Sequence, residues 1–352
     1  MDVDMTSSPG ACSLSRFGTT NAMIFGWDGN SFDAGRLDHI RRVMFYKFLM
    51  SDSFDPMKVF VKQEPHKESK VRDGRWRLIM SVSLEDSLFD RLLFMPLYRK
   101  VLENVGATPI VIGWSPLYAG VPLLRTMLGP GPYLNIDKKA WDWSVPYWLI
   151  TMIRDVIVTL SSPAPKWWLD RVAFRFEALF SKAKFQFNDG EIVIQGHPGI
   201  IKSGCYLTIL VNSIAQLILL VLVSKRLSRP FPRVAILGDD TVETDDGFAE
   251  QLVQAYQDLG FVTEYSVTDN PEFCGFEYVG YDYKPSYRDK HNFLLRHLTY
   301  DDDKAASTLR SYQLLYYNEP SNLRIIRQLA VNKGLPGACV DDLTLRSLVY
   351  GF

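Results

Sequence analysis

Ten residues constrain this chain more than any others: Val234-Ala235-Ile236-Leu237-Gly238-Asp239-Asp240-Thr241-Val242-Glu243. A short apolar run climbs to a glycine and two adjacent carboxylates, then returns through β-branched residues. The pattern predicts a β-hairpin with Gly238 and Asp239 at or near its tip, its apolar flanks anchored in a core. Carboxylates held side by side repel each other, so cations are expected at such a tip. Taken alone, Gly-Asp-Asp is more often an ordinary hairpin turn. The rest of the chain has to supply the remaining ligands.

With 352 residues the chain can bury a large core and form more than one lobe. Its formal net charge is −1, so any affinity for nucleic acid must come from local clusters. The four cysteines, Cys12, Cys205, Cys274 and Cys339, are far apart with no CxxC spacing. That argues against a zinc site or a disulfide framework and fits a reducing compartment. The start is polar and acidic, unlike a signal peptide. One apolar segment, 205–223, approaches membrane-spanning length. Thr208, Asn212, Ser213 and Gln216 fall in its first half, so it reads as a buried helix and no transmembrane segment is expected.

In chain order, residues 1–35 read as irregular surface, and Arg36 to Leu49 as an amphipathic helix. Lys58 to Pro65 alternates like a strand and leads into a basic loop with Lys67, Lys70, Arg72, Arg75 and Arg77. Across 58–77 there are seven Lys or Arg against three acids, a local positive face suited to a polyphosphate. Residues 84–104 read as a helix with Pro96 as a kink. The Gly129-Pro130-Gly131-Pro132 breaker launches a strand ending at Asp137, and Asp142 follows five residues later. A helix is expected from about Ser144, with Pro146 in its first turn. Lys184 to Ile194 reads as a hairpin with an Asn-Asp-Gly turn. Thr208 and Asn212, four apart, share a face of the apolar helix, and Ser203 lies at its start. A helix from about Asp246 to Leu259, a strand 261–267, an aromatic hairpin 273–283 and a mostly helical 286–352 complete the chain.

If the strand carrying Asp137 neighbours the Asp239-Asp240 hairpin in one antiparallel sheet, three carboxylates converge. Hard oxygen ligands of this kind suit Mg²⁺ or Mn²⁺. Two such ions stabilise the attacking and leaving oxygens of a phosphoryl transfer.

These segments, in this order, resemble the motifs of viral RNA-dependent RNA polymerases of positive-strand RNA viruses, in the sobemovirus and polerovirus-like branch. The likeness is carried by Val61-Lys62-Gln63-Glu64-Pro65-His66 with Arg75-Trp76-Arg77-Leu78-Ile79, then Asp137-x4-Asp142-Trp143-Ser144-Val145. It continues through Lys202-Ser203-Gly204-x3-Thr208-x3-Asn212-Ser213 and Gly238-Asp239-Asp240 to Glu272-Phe273-Cys274. The resemblance implies an α+β right-hand polymerase fold. Residues 1–132 would hold the N-terminal region and fingers with the basic hairpin 58–80. The palm would span 133–160 and 203–285, the fingers insertion 161–202, and a small thumb 286–352.

It further implies that Asp137 and Asp239 are the principal ligands of two Mg²⁺ (or Mn²⁺) ions, with Asp240 assisting. Asp142 and Asn212 would form a hydrogen-bonded pair reading the ribose 2′-OH, supported by Ser203 and Thr208. Lys62 and Arg77 would grip the triphosphate, Glu64 would hold the basic hairpin in shape, and the loop around Phe273-Cys274 would grip the primer. The implied partners are template and nascent RNA, NTPs, a genome-linked protein primer and other viral replication proteins, in replication complexes of the host cytoplasm. Two features depart from the pattern. No Lys or His occurs between Lys225 and Lys284 to protonate pyrophosphate, and the chain is short for this fold, so either its fingers and thumb are minimal or it is one part of a longer translated product. The rival readings are a reverse transcriptase, disfavoured by Asp142 with Asn212, and a non-catalytic RNA-binding protein of polymerase fold, disfavoured by three intact carboxylates.

Overall fold

The computed structural model describes residues 3–50, 54–66 and 68–351, so Lys67 of the basic loop lies outside the described residues. The strands in the first half of the chain are β1 (Met57–Val61), β2 (Leu78–Ser81), β3 (Tyr133–Lys138), β4 (Lys184–Gln186) and β5 (Ile192–Ile194). Those in the second half are β6 (Val234–Leu237), β7 (Asp240–Thr244), β8 (Thr263–Thr268), β9 (Glu272–Phe273), β10 (Phe276–Val279) and β11 (Asp282–Pro285). With the helices between them, they make an α+β chain with several small sheets. It divides into two compact units: Met1–Glu103 with Ala140–Ile218, and Asn104–Lys139 with Leu219–Phe352.

The first unit holds the sheet β2-β1-β4-β5. β1 and β2 pair antiparallel, Lys58 opposite Ser81, whereas β1 and β4 pair parallel, Met57 opposite Phe185. The strand expected to run to Pro65 stops at Val61. Lys62 N–H still donates to Arg77 O (2.8 Å), but Glu64 N–H closes back on Lys62 O (2.9 Å), and that turn ends the ladder. The basic loop itself contains a short helix, Glu68–Arg72.

Helices Ala34–Leu49, Leu84–Glu103 and Lys166–Phe180 pack around a buried ion network. Arg175 grips Asp90 with two nitrogens (2.6 and 2.9 Å) and reaches Asp86 (3.2 Å). Lys47 contacts the other oxygen of Asp86 (2.6 Å), Asp55 (2.9 Å) and Glu85 (3.5 Å). Burial pushes the Asp86 carboxyl up, and the charges of Arg175 and Lys47 oppose it. Pro146 precedes the helix Tyr147–Leu160 as its N-cap instead of sitting in its first turn, and Trp141–Ser144 forms a separate helical turn. The N-terminal stretch read as irregular contains a short helix, Asn21–Phe25, capped by Thr20.

The second unit holds the sheet β6-β7-β3-β8 and a three-stranded sheet β11-β10-β9 where a two-stranded hairpin was expected. Val111, Leu124, Tyr133, Ala235, Val242, Phe273 and Tyr278 form its main core. Helices Asp302–Leu315 and Pro320–Asn332 close a smaller core over Leu309, Tyr312, Ile326 and Ala330. The apolar segment forms the helix Thr208–Arg226. By length and composition it could cross a membrane, but 61% of its most apolar window is buried inside the protein. All four cysteines are free.

Candidate active site

The carboxylate hairpin forms as its sequence dictates. β6 and β7 pair antiparallel, Ile236 opposite Thr241 and Leu237 opposite Asp240, leaving Gly238 and Asp239 as a two-residue turn. Gly238 has φ +66°, the left-handed conformation that a turn with glycine at its first central position requires. Val234, Ala235, Ile236 and Val242 are buried and fix the hairpin, while Asp239 and Asp240 keep open surface.

β3 is the next strand. It pairs with β7 through Tyr133 opposite Thr244 and Leu134 opposite Glu243, and continuing that register sets Asp137 level with Asp240. Because side chains alternate across a sheet, Asp137 shares the face of Asn135 and Tyr133. Asn135 donates its side-chain N–H groups to Thr241 O (3.1 Å) and Glu272 O (2.6 Å), tying β3 to β7 and to β9. On the other flank Glu264 of β8 lies opposite Asp137 and is ion-paired with Lys139.

Of the three carboxylates, Asp240 is the one whose proton affinity is shifted. Asp240 is pushed up to about 6, chiefly by the protein mass around it, then by the negative charge of Asp239 and, more weakly, of Asp137. A hydrogen bond from the Cys274 thiol pulls the other way. Cys274 and Gly275 form the β9–β10 turn with φ +52° and +78°, which delivers the thiol to Asp240. The sequence placed Cys274 in a primer-gripping loop and carried no signal for this bond, which depends on a turn meeting a turn.

The opposite face of β3 has a different chemistry. Lys138, next to Asp137, is buried with its Nζ 4.3 Å from the Tyr256 ring centre. Burial lowers its ammonium to about 8 against the pull of Glu243, Asp137 and Asp239. On the same face Glu243 accepts from Arg229 (2.8 Å), which also binds Asp246 (2.6 Å). Lys138 therefore supports the sheet from behind.

Do these residues fit divalent metal? The donor set is hard oxygen on neighbouring strands, and a bound cation offsets both the burial that chiefly raises Asp240 and the added repulsion from Asp239 and Asp137. Among the described residues no group of three or more His, Cys, Asp or Glu side chains stands placed to hold a metal ion. An open set still suits Mg²⁺, which keeps several waters and is held by one or two carboxylates plus substrate phosphates.

The remaining candidates lie in the first unit. Asn212 is buried, and its Oδ1 accepts the indole N–H of Trp141 (2.8 Å). Asp142 is half-buried, and its backbone oxygen accepts from Ile201 N (2.8 Å). Ser203 Oγ accepts from Met80 N (3.3 Å) and contacts Leu78 O (3.4 Å), pinning the loop to β2. Thr208 Oγ1 bonds Lys202 O (2.6 Å) and Cys205 O (2.7 Å) and accepts from Cys205 N (3.2 Å), so its hydroxyl shapes the loop before the helix. Glu64, with a side chain 15% exposed, stands between Lys62 (3.3 Å) and Arg77 (3.4 Å), both more open. Lys202, part of the motif read from the sequence but given no role there, is fully buried and its ammonium donates to Gln195 Oε1 (2.7 Å), Gly199 O (3.1 Å) and Ile200 O (2.8 Å).

A family profile described as "Viral RNA-dependent RNA polymerase" matches residues 1–324, and the chain belongs to that family. Among its relatives is the "Replicase polyprotein P2AB" of Southern bean mosaic virus, 34% identical over 212 residues, covering 58% of this chain and 21% of the relative. The protein of the same name from Southern cowpea mosaic virus is 29% identical over 273 residues, 74% of this chain and 27% of the relative. The "RNA-directed RNA polymerase" of Mushroom bacilliform virus is 28% identical over 232 residues, 64% and 54% of the two chains. The chain thus spans about a fifth to a quarter of the polyproteins it matches.

Proposed function

We propose that this chain is the RNA-directed RNA polymerase of a plant virus, extending RNA by nucleotidyl transfer from NTPs on an RNA template. The observation that carries the reading is the strand order, with β3 and its Asp137 next to β7 and the Gly238-Asp239-Asp240 turn. Family membership and the relatives named as a replicase and a polymerase support it.

In this reading Asp137 and Asp239 hold the divalent ions, Mg²⁺ or Mn²⁺, and Asp240 completes the acidic edge. When bound, the ions lower the pKa of the primer 3′-hydroxyl and neutralise charge on pyrophosphate. The chain's own residues position and select. The stiff sheet, locked by Asn135 across β3, β7 and β9, fixes the carboxylates. Trp141 orients Asn212 by taking its amide oxygen, so that the amide N–H₂ and the Asp142 carboxylate can read the ribose 2′-OH. Ser203 and Thr208 act on that readout through loop shape. Lys62 and Arg77 bind triphosphate, with Glu64 holding both until the phosphates compete for them.

The first unit's sheet and helices correspond to fingers with part of the palm, the sheet β6-β7-β3-β8 to the palm core, and residues 286–352 to a small thumb. RNA, NTPs, a genome-linked protein primer and other replication proteins are the partners, in host cytoplasmic replication complexes. The test is primer extension on homopolymeric RNA with Mg²⁺ or Mn²⁺. Asp239→Ala and Asp240→Ala each abolish extension and leave RNA binding within about twofold, since neither contacts phosphate without metal. Extension surviving both changes would falsify the two-metal reading.

A further inference from the structure

β5 ends its sheet: the order is β2-β1-β4-β5, and among the described residues no strand pairs with its far side. Its residues Ile192, Val193 and Ile194 are 52%, 41% and 62% exposed, three consecutive β-branched side chains on an open edge. Natural sheets blunt such edges with Lys, Pro, bulges or a covering loop. Here residues 191–196 contain no Lys or Pro, and β5 pairs with β4 in an unbroken register from Gln186–Ile192 to Lys184–Ile194.

The same register says which backbone groups are free. Phe187 N–H donates to Glu191 O and Gln195 N–H to Ala183 O, so residues 191, 193 and 195 turn their polar groups toward β4. By alternation, Ile192 and Ile194 turn theirs outward. The sequence about Val193 is also nearly a palindrome: Asp189-Gly190-Glu191-Ile192-Val193-Ile194-Gln195-Gly196-His197. Laid antiparallel on its own copy about a two-fold axis at Val193, Ile192 meets Ile194 and Glu191 meets Gln195, while Asp189 in the hairpin turn and His197 in a bend lie beyond the extended strand.

We infer that β5 is a self-association edge, at which a second copy of this chain adds its own β5 antiparallel across a two-fold axis at Val193. Both outward residues exchange N–H and C=O with the second copy in this register, as Ile192 with Ile194 and Ile194 with Ile192. Val193 then faces its own copy in a non-hydrogen-bonded pair, where side chains come closest. The register joins isoleucines on one sheet face, an isologous contact in which each edge is its own complement. A Cβ on Gly190 or Gly196 would meet nothing within 4 Å, so both flanks leave room for a neighbouring chain. The strand is short, so the contact is weak and reversible, below the area of a stable dimer.

The test uses the full chain. Sedimentation velocity over a rising concentration series should show the average mass climbing from one chain toward two. Val193→Lys, which sets two ammonium groups against each other on the axis, should stay monomeric. Its thermal midpoint should match the parent, because the side chain is exposed. A cysteine reads the register directly. Val193→Cys should give a reducible dimer under mild oxidation, since the Cα atoms of such a pair lie about 4.5 Å apart, within disulfide range. Ile194→Cys, two positions out of step with its own copy, should not cross-link faster than the parent. A parent that stays monomeric, or associates only when RNA is added, overturns the inference, as does Ile194→Cys cross-linking as fast as Val193→Cys.

Discussion

Lys202 shows how one buried atom can set the shape of a functional loop. Its Nζ has three acceptors, Gln195 Oε1, Gly199 O and Ile200 O, and no carboxylate among them. Burial, the main influence, lowers the ammonium to about 7, with a small opposing pull from Cys205. The sign follows from linkage. The unfolded chain keeps this proton up to a pH of about 10.4, whereas the folded chain sheds it from about 7, so between these values stability rises with pH. Below about 7 both states are protonated and the cost stays constant. Lys202→Met removes that charge but strands three acceptors, and we expect a net loss of about 3 kcal/mol at pH 7. Denaturant unfolding at several pH values checks both parts: the gap between parent and variant should widen from pH 7 toward pH 10. A gap that narrows over that range would refute the assignment. The sequence shows Lys202 within a motif but not its burial, because its three partners come from loop backbone and one glutamine.

Elements explain what could be read in advance. The β6–β7 hairpin, the β4–β5 hairpin and the helix Thr208–Arg226 were legible because local pattern, turn glycine and apolar spacing all agree within twenty residues. The order β7-β3 was legible only by way of chemistry, since isolated carboxylates needed partners. What stayed hidden joins distant residues: the parallel pairing of Met57 with Phe185, the Cys274 bond to Asp240, and the ion network that pins helix Lys166–Phe180 against Leu84–Glu103. Arg175 and Asp90 look like any helical charges in sequence, yet their side chains are 2% and 0% exposed. Arg175→Met leaves Asp90 and Asp86 buried with a lost cation and should cost about 3–5 kcal/mol. Lys166→Met, which breaks an exposed pair with Asp170, should cost under about 1 kcal/mol. Equal shifts in the urea midpoint would show that the network is not what holds the helices.

At the scale of the whole molecule, the net charge of −1 excludes a general electrostatic grip on RNA and concentrates that task in patches. The basic hairpin is one, with seven Lys or Arg against three acids over 58–77. Within it Glu64 partly neutralises Lys62 and Arg77, so the free protein presents less charge there than its sequence implies. The proposed function then makes a prediction about salt. Binding of single-stranded RNA weakens with salt by a slope of about 0.7 per neutralised phosphate. If Lys62 and Arg77 each hold one phosphate, Lys62→Gln/Arg77→Gln should flatten the slope by about 1.4 and weaken binding alike for every sequence. Glu64→Gln should act in the opposite sense, tightening binding at low salt by releasing both cations, with under about 1 kcal/mol lost from stability. Fluorescence titrations of a labelled oligonucleotide over a salt series measure both. A slope unmoved by the double change would place the RNA grip elsewhere on the chain and leave this hairpin to the triphosphate alone.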